Sequence, residues 1–299
     1  MATQVSAQQW NVLSLLEWAA EYLRARGFEE ARCTVDLLLA HVLRLERMSL
    51  YLQFDRPLTP AELQQFKSLF KRRLEHEPLQ YIVGETSFMG LTLFVDRTVL
   101  IPRPETEILV ERALETLRLL AVPAPAILDV GTGSGNIAVA LGHSMPGGAV
   151  VSIDASVDAL GTAARNVARH GLTNVTLQQA DVFSEAMNGR RFHLVVSNPP
   201  YVSAAEFGNL QSEIRDFEPR MATTDEGDGY RFLVRLCSLA PHLLESGGAL
   251  LVEIGYSQSE RVEEMMREAG LLRIETFNDY AGIPRIMRGW KDEPRGGRR

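Results

Sequence analysis

From Ala126 onward the chain alternates short apolar, β-branched segments with segments of helical pattern, and few folds satisfy that alternation. The strand-like pieces are AILDVG, AVVSID, VTLQQAD, HLVVSN, GALLVEIG, LRIETFND and PRIMRGW, with helical sequence in most of the gaps. Strands alternating with helices predict an α/β fold built on a doubly wound sheet. In such a sheet ligands bind beyond the carboxyl ends of the strands. The residues that end the strands are therefore where chemistry is expected.

Residues 1–80 show no such alternation. Apolar positions recur at helical spacing over 12–27, which stops at Gly27, and again over 29–45 and 59–77. Thr59 as a cap and Pro60 in the first turn make a good helix start. These segments predict a small helical bundle over 1–80. The stretch 80–100, rich in β-branched and aromatic residues with glycines between, reads as a hairpin bridging two domains. The expected division is a helical domain over 1–80, a hairpin linker over 81–100, an α/β domain over 101–290 that opens with a helix over 101–120, and a flexible tail over 291–299.

Composition narrows the function. The chain has 299 residues and a formal net charge of -7, which disfavours a protein that coats nucleic acid by neutralising phosphates. Its two cysteines, Cys33 and Cys237, lie far apart, and no Cys-x-x-Cys pair or histidine cluster suggests a metal site. The opening MATQVSAQQW lacks the apolar core of a signal peptide, and no apolar run is long enough to span a membrane. Unclustered thiols fit a reducing cytoplasm, the expected location.

In AILDVGTGSGNIAVAL a buried strand meets a glycine-rich turn at Gly131, Gly133 and Gly135, and a helix follows. Glycines allow positive φ and a close backbone approach to a ligand. Amides at the start of the following helix favour electronegative groups. Asp154 ends the next strand, where an acid can accept hydrogen bonds from both ribose hydroxyls or help to cap the helix opening at Ser156. Both roles are open from sequence. Asp129 precedes the glycines, and a carboxylate there can bind the amino group of a methionine moiety directly or through water. Asp181 ends the third strand and is placed to accept from an adenine exocyclic amine. Together they favour S-adenosylmethionine over NAD as the cofactor.

The fourth strand ends in Asn198, Pro199, Pro200 and Tyr201. Prolines donate no backbone hydrogen bond, so the ladder stops and the chain is stiff there. The Asn198 side-chain carbonyl and the Pro199 backbone carbonyl are two acceptors near one point. Tyr201 offers a flat face for a planar group. Two fixed acceptors can grip an NH2 group, aim its lone pair at a methyl carbon and stabilise the positive charge that nitrogen gains. This signals methylation of a planar nitrogen without separating an amide from a base. An N6-adenine methyltransferase and a non-catalytic cofactor-binding scaffold are the alternatives. The net charge weighs against the first and the intact tetrapeptide against the second.

The chain resembles the release-factor glutamine N5-methyltransferases, the PrmC/HemK group, over nearly its whole length. The resemblance rests on EPLQYIVGE (77–85), VLIPRPETEILVE (99–111), DVGTGSG, SNPPY, EIGYSQ (253–258) and DYAGIPR (279–285). It implies a seven-stranded Rossmann-like methyltransferase domain preceded by a small all-α domain and a hairpin. The implied substrate is the glutamine of a Gly-Gly-Gln tripeptide in class-1 peptide-chain release factors. Residue by residue it implies cofactor binding by Gly131, Thr132, Gly133, Ser134, Gly135, Asp154 and Asn198, adenine contact by Val182 in the loop after Asp181, and glutamine binding by residues 198–201. A monomer without membrane or direct nucleic-acid contact is expected. An aromatic residue common after the third-strand acid is Val182 here, with Phe183 next, and the 218–230 segment departs from the family pattern. No roles carry over to that segment, to Arg103 or to Glu105.

Overall fold

The computed structural model describes residues 10–185 and 189–292. The chain divides into two compact units, Met1–Gly84 and Glu85–Arg299. The first is helical: α1 (Val12–Arg24), α2 (Ala31–Leu43), α3 (Arg47–Leu52), α4 (Pro60–Leu74) and α5 (Leu79–Val83). Thr59 accepts from Glu62 N while the Glu62 carboxylate accepts from Thr59 N, a reciprocal cap that fixes where α4 begins. Leucines 15, 16, 23, 38 and 39 form its core with Phe66 and Phe70.

The second unit opens with a hairpin, β1 (Glu85–Phe88) and β2 (Leu91–Phe94). Met89 and Gly90 both take positive φ, the two-residue turn that matches strand twist. Glu107 accepts from Met89 N at 2.6 Å and secures that conformation. The expected linker over 81–100 therefore resolves differently. Residues 81–83 finish a helix of the first unit, and the hairpin is part of the second, with Phe88 and Leu93 in its core.

The remaining elements are α6 (Pro104–Leu120), β3 (Ala126–Val130), α7 (Asn136–Ser144), β4 (Ala149–Asp154), α8 (Val157–Arg169), β5 (Val175–Gln179), β6 (Phe192–Ser197), α9 (Ala204–Phe207), α10 (Ser212–Phe217), α11 (Arg220–Thr223), α12 (Arg231–Leu243), β7 (Leu244–Glu253), α13 (Ser259–Glu268), β8 (Leu272–Asn278) and β9 (Pro284–Trp290). One seven-stranded sheet runs β5-β4-β3-β6-β7-β9-β8. The first five of these strands are parallel, and β9 is antiparallel to both β7 and β8. The turn over 279–283 is too short for a parallel crossover, so β9 returns beside β8 and inserts next to β7. Two apolar clusters cover the faces of the sheet. Sequence order reverses between β3 and β6, which puts the ligand crevice of an open α/β sheet there.

The tail expected over 291–299 lies outside the described residues except for its first two. Lys291 donates from its backbone N to Gly248 O and from Nζ to Leu244 O, and so is tied to the sheet.

Candidate active site

Val130 of β3 and Ser197 of β6 are register partners, so the segments that follow them leave the sheet side by side. A cavity of about 290 Å³ opens at that place. Gly131, Thr132, Gly133 and Ser134 line it from the β3 side, and Asn198, Pro199 and Pro200 from the β6 side. Asp154, Asp181 and Val182 line it as well. Asp129, Gly135 and Tyr201, also expected at the site, do not.

The glycine loop is held from behind. Gly131 N and Thr132 N donate to Ile153 O at 2.9 and 3.0 Å. Asn166 of α8 donates to Ser134 O at 2.8 Å, and its amide also pairs with Phe94 N and O, which ties the loop to the hairpin. Gly135 has φ +79°, and a Cβ there would stand 3.1 Å from Ala163 Cβ. The glycine lets α7 pack closely on α8.

The Asp154 carboxylate accepts from Gly133 N and from Ser156 N, each at 2.9 Å. The cap of α8 itself is Ser156, whose hydroxyl accepts from Ala159 N. Asp154 thus buttresses the loop and keeps further lone pairs for a ligand, since a carboxylate offers about four acceptor sites. Asp181 accepts from Phe183 N at 2.9 Å. Phe183 lines the cavity one position after Val182 and packs edge-on against Phe232, with rings 5.2 Å apart. The aromatic surface absent at Val182 is supplied there.

Asp129 is fully buried behind the loop. Ser152 Oγ donates to its Oδ2 at 2.6 Å, and its Oδ1 has no partner. Burial pushes this carboxyl up to about 7, the Ser152 hydrogen bond opposes the rise and the Asp154 carboxylate adds to it. Ser134 Oγ, on the cavity-lining residue, is likewise without a partner. A buried acceptor lacking a donor, beside a glycine loop open to close approach, fits the amino-acid end of S-adenosylmethionine. Asp129 itself does not line the cavity.

Tyr201 differs from its expected role as a flat face. Its ring packs on the core, its hydroxyl donates to Glu253 Oε1 at 3.1 Å, and Gln258 donates to its carbonyl at 3.2 Å. A buried phenol needs a partner, and Glu253 is the one within reach. Burial next to that carboxylate raises the phenol well above its ordinary value. Asn198 Nδ2 donates to Thr106 Oγ1 at 3.0 Å, and Thr106 donates to Glu253 Oε2 at 2.7 Å. Thr106 and Glu253 are not among the site residues expected from the sequence. A lone acid ending an otherwise apolar strand, LLVE, was the available signal.

The segment 218–230 also has defined work. Buried Glu218 pairs with Arg103 and accepts from Ile101 N at 3.3 Å. Burial raises the Glu218 carboxyl, and Arg103 opposes that. Arg103, Pro219 and Met221 line the cavity, so this ion pair joins two walls of it. Asp225 accepts from Gly227, Gly229 and Arg231 backbone N–H groups. Gly229 has φ +86°, and a Cβ there would stand 2.5 Å from Tyr201 O. A left-handed non-glycine residue alone costs roughly 1–2 kcal/mol. Gly229→Ala is expected to lose more than about 2 kcal/mol of unfolding free energy once that backbone collision is added. Urea unfolding within about 0.5 kcal/mol of wild type would show the loop relaxing freely.

Among the described residues no group of three or more His, Cys, Asp or Glu side chains could hold a metal ion, and no helix is long and apolar enough to cross a membrane. A PrmC N-terminal domain model matches residues 14–84, and a Methyltransferase domain model matches 123–291. The chain is 42% identical over 280 residues to the release factor glutamine methyltransferase of Geobacter sulfurreducens, covering 94% of this chain and 96% of that one. It is 40% identical over 284 residues to that of Chlorobaculum tepidum, covering 92% and 96%. A solved Thermus thermophilus 16S rRNA N2 G1207 methyltransferase, in complex with AdoMet and guanosine, is similar at a TM-score of 0.50 and 17% identity over 69% of this chain and 49% of that one, a likeness of fold alone.

Proposed function

The chain belongs to the release factor glutamine methyltransferases, and from that premise we infer that it methylates the side-chain amide nitrogen, N5, of the glutamine in the Gly-Gly-Gln motif of class-1 peptide-chain release factors. It is an enzyme that uses S-adenosylmethionine. The observation that best supports this reading is the side-by-side exit of the glycine loop and of the Asn198, Pro199, Pro200 segment into one cavity.

Bound S-adenosylmethionine supplies a methyl group already activated by its sulfonium. Residues 131–134 would give it a backbone cradle, Asp154 would accept from the ribose hydroxyls, Asp181 and Val182 would meet the adenine, and Asp129 and Ser134 would lie toward the amino-acid end. Asn198 Oδ1 and Pro199 O grip the two hydrogens of the glutamine amide. That grip would orient the nitrogen lone pair for attack and stabilise charge as it builds on nitrogen. Pro200 stiffens the segment, and Tyr201 anchors it through Glu253. The sulfonium would leave as a thioether with the electron pair of the broken S–C bond, and the methylated nitrogen would shed one of its two gripped protons to water, so no general acid or covalent nucleophile enters this scheme.

A glutamine side chain is too small to identify a protein, so recognition draws on contacts remote from the nitrogen. The helical unit, residues 1–84, is the proposed source of those contacts. The protein is taken to act as a cytoplasmic monomer without direct contact to nucleic acid, in keeping with its net charge of -7. Labelled cofactor offered with release factor or with DNA separates this reading from base methylation. Removal of the helical unit is expected to lower activity on intact release factor at least about tenfold more than activity on a short Gly-Gly-Gln peptide. Equal losses on the two substrates would end the recognition role.

A further inference from the structure

We propose that Glu253 and Thr106 are positioning residues that set the polarity of the Asn198 amide, so that its carbonyl oxygen rather than its NH2 faces the substrate nitrogen. This rests on the reading of residues 198–201 as the clamp on a glutamine amide. Glu253 ends β7 and is 1% exposed, and Thr106 in the first turn of α6 is equally buried. Their side chains, 147 residues apart in sequence, meet at 2.7 Å.

The polarity follows from counting protons. An ionised carboxylate has none to give, so both hydroxyls that reach Glu253 have to donate to it: Thr106 to Oε2 and Tyr201 to Oε1. With its single proton committed, Thr106 can offer Asn198 only an acceptor. Asn198 therefore presents Nδ2 to Thr106, at 3.0 Å, and its Oδ1 is left for another donor. An amide that could flip would present NH2 to NH2 half of the time and lose the clamp.

A protonated Glu253 reverses the order. Its proton can go to Thr106, and the Thr106 hydroxyl is then free to donate to Asn198 Oδ1. The groups that bear on this proton are few. Glu105 on α6 is a like charge that favours protonation, and Arg285 on β9 is an opposite charge that disfavours it while paired with Asp279 at 3.2 Å. Among the described residues no cation lies within ion-pair distance of Glu253. Burial is the largest influence and pushes its carboxyl up to about 7, against the two hydroxyl hydrogen bonds. A group used only to fill the core would be better replaced by an apolar one of the same volume.

The test measures kcat at saturating cofactor and release factor from about pH 5.5 to about pH 8.5, with cofactor affinity measured separately by calorimetry. Wild type should rise with pH, with a midpoint near the Glu253 value of about 7. Glu253→Gln, whose amide can donate to Thr106 at every pH, should be slow and flat across the range. Thr106→Val should lose roughly tenfold in kcat with cofactor affinity unchanged, and Thr106→Ser, which keeps the hydroxyl, should restore the rate and the pH profile. A flat wild-type profile, a Thr106→Val enzyme as fast as wild type, or a Thr106→Ser enzyme that stays slow would each overturn the proposal. If Thr106→Val does not fold, the wild-type profile and Thr106→Ser still decide. A wild-type chain that leaves release factor unmethylated at every pH would instead remove the functional reading beneath it.

Discussion

Asn198→Ala is expected to bind S-adenosylmethionine nearly as wild type does and to lose most methyl transfer. Asn198 lines the cavity beside the glycine loop, and its NH2 is already engaged by Thr106. The oxygen that remains is an acceptor fixed in place before any substrate arrives. The amide nitrogen of glutamine carries little positive charge in the ground state and more as the new bond forms. An acceptor aimed at its hydrogens therefore stabilises the transition state more than the bound substrate. Deleting one such fixed partner costs roughly 100- to 1000-fold in rate, or about 2.7–4 kcal/mol, by analogy with oxyanion-hole donors. Single-turnover methylation measures this directly. A rate near wild type would mean that Pro199 O and alignment suffice.

Asp154→Ala should fail at the other step. Its carboxylate accepts from Gly133 N and Ser156 N, so its removal strips support from the loop as well as the ribose acceptor. Hydrogen bonds to a charged group contribute about 1.5–3 kcal/mol each. Losing even one to the ligand weakens cofactor binding by roughly ten- to a hundredfold. Turnover at saturating cofactor should change far less, because Asp154 touches neither Asn198 nor Thr106. Calorimetry on the variant reads the affinity. An unchanged value would leave Asp154 with the structural role alone.

The parts of the site that could be read from sequence are those made within one turn of chain. The glycines at 131, 133 and 135, the acid after β4 and the two prolines after β6 each state their chemistry locally. The strand pattern was legible for the same reason, since burial imposes its composition on each strand separately. What escaped depends on distant partners. Thr106 and Glu253 lie 147 residues apart, and nothing near either residue announces the other. Tyr201 carried an aromatic signal, but only the fold shows its hydroxyl turned to Glu253. The insertion of β9 beside β7 follows from the sheet as a whole. The helices α3 and α5 are too short to stand by propensity and exist because Leu50, Tyr81 and Ile82 are buried by tertiary packing.

If this cavity methylates the glutamine of a Gly-Gly-Gln motif on a release factor, the product is a methylated amide that can be weighed. Mass spectrometry of a class-1 release factor, digested after incubation with the full chain and S-adenosylmethionine, reads that product. A single added methyl group is expected on the side-chain amide of that glutamine, present with wild type and nearly absent with Asn198→Ala. An unmodified Gly-Gly-Gln peptide under conditions where the chain binds its cofactor, or a methyl group on a different residue, would contradict it.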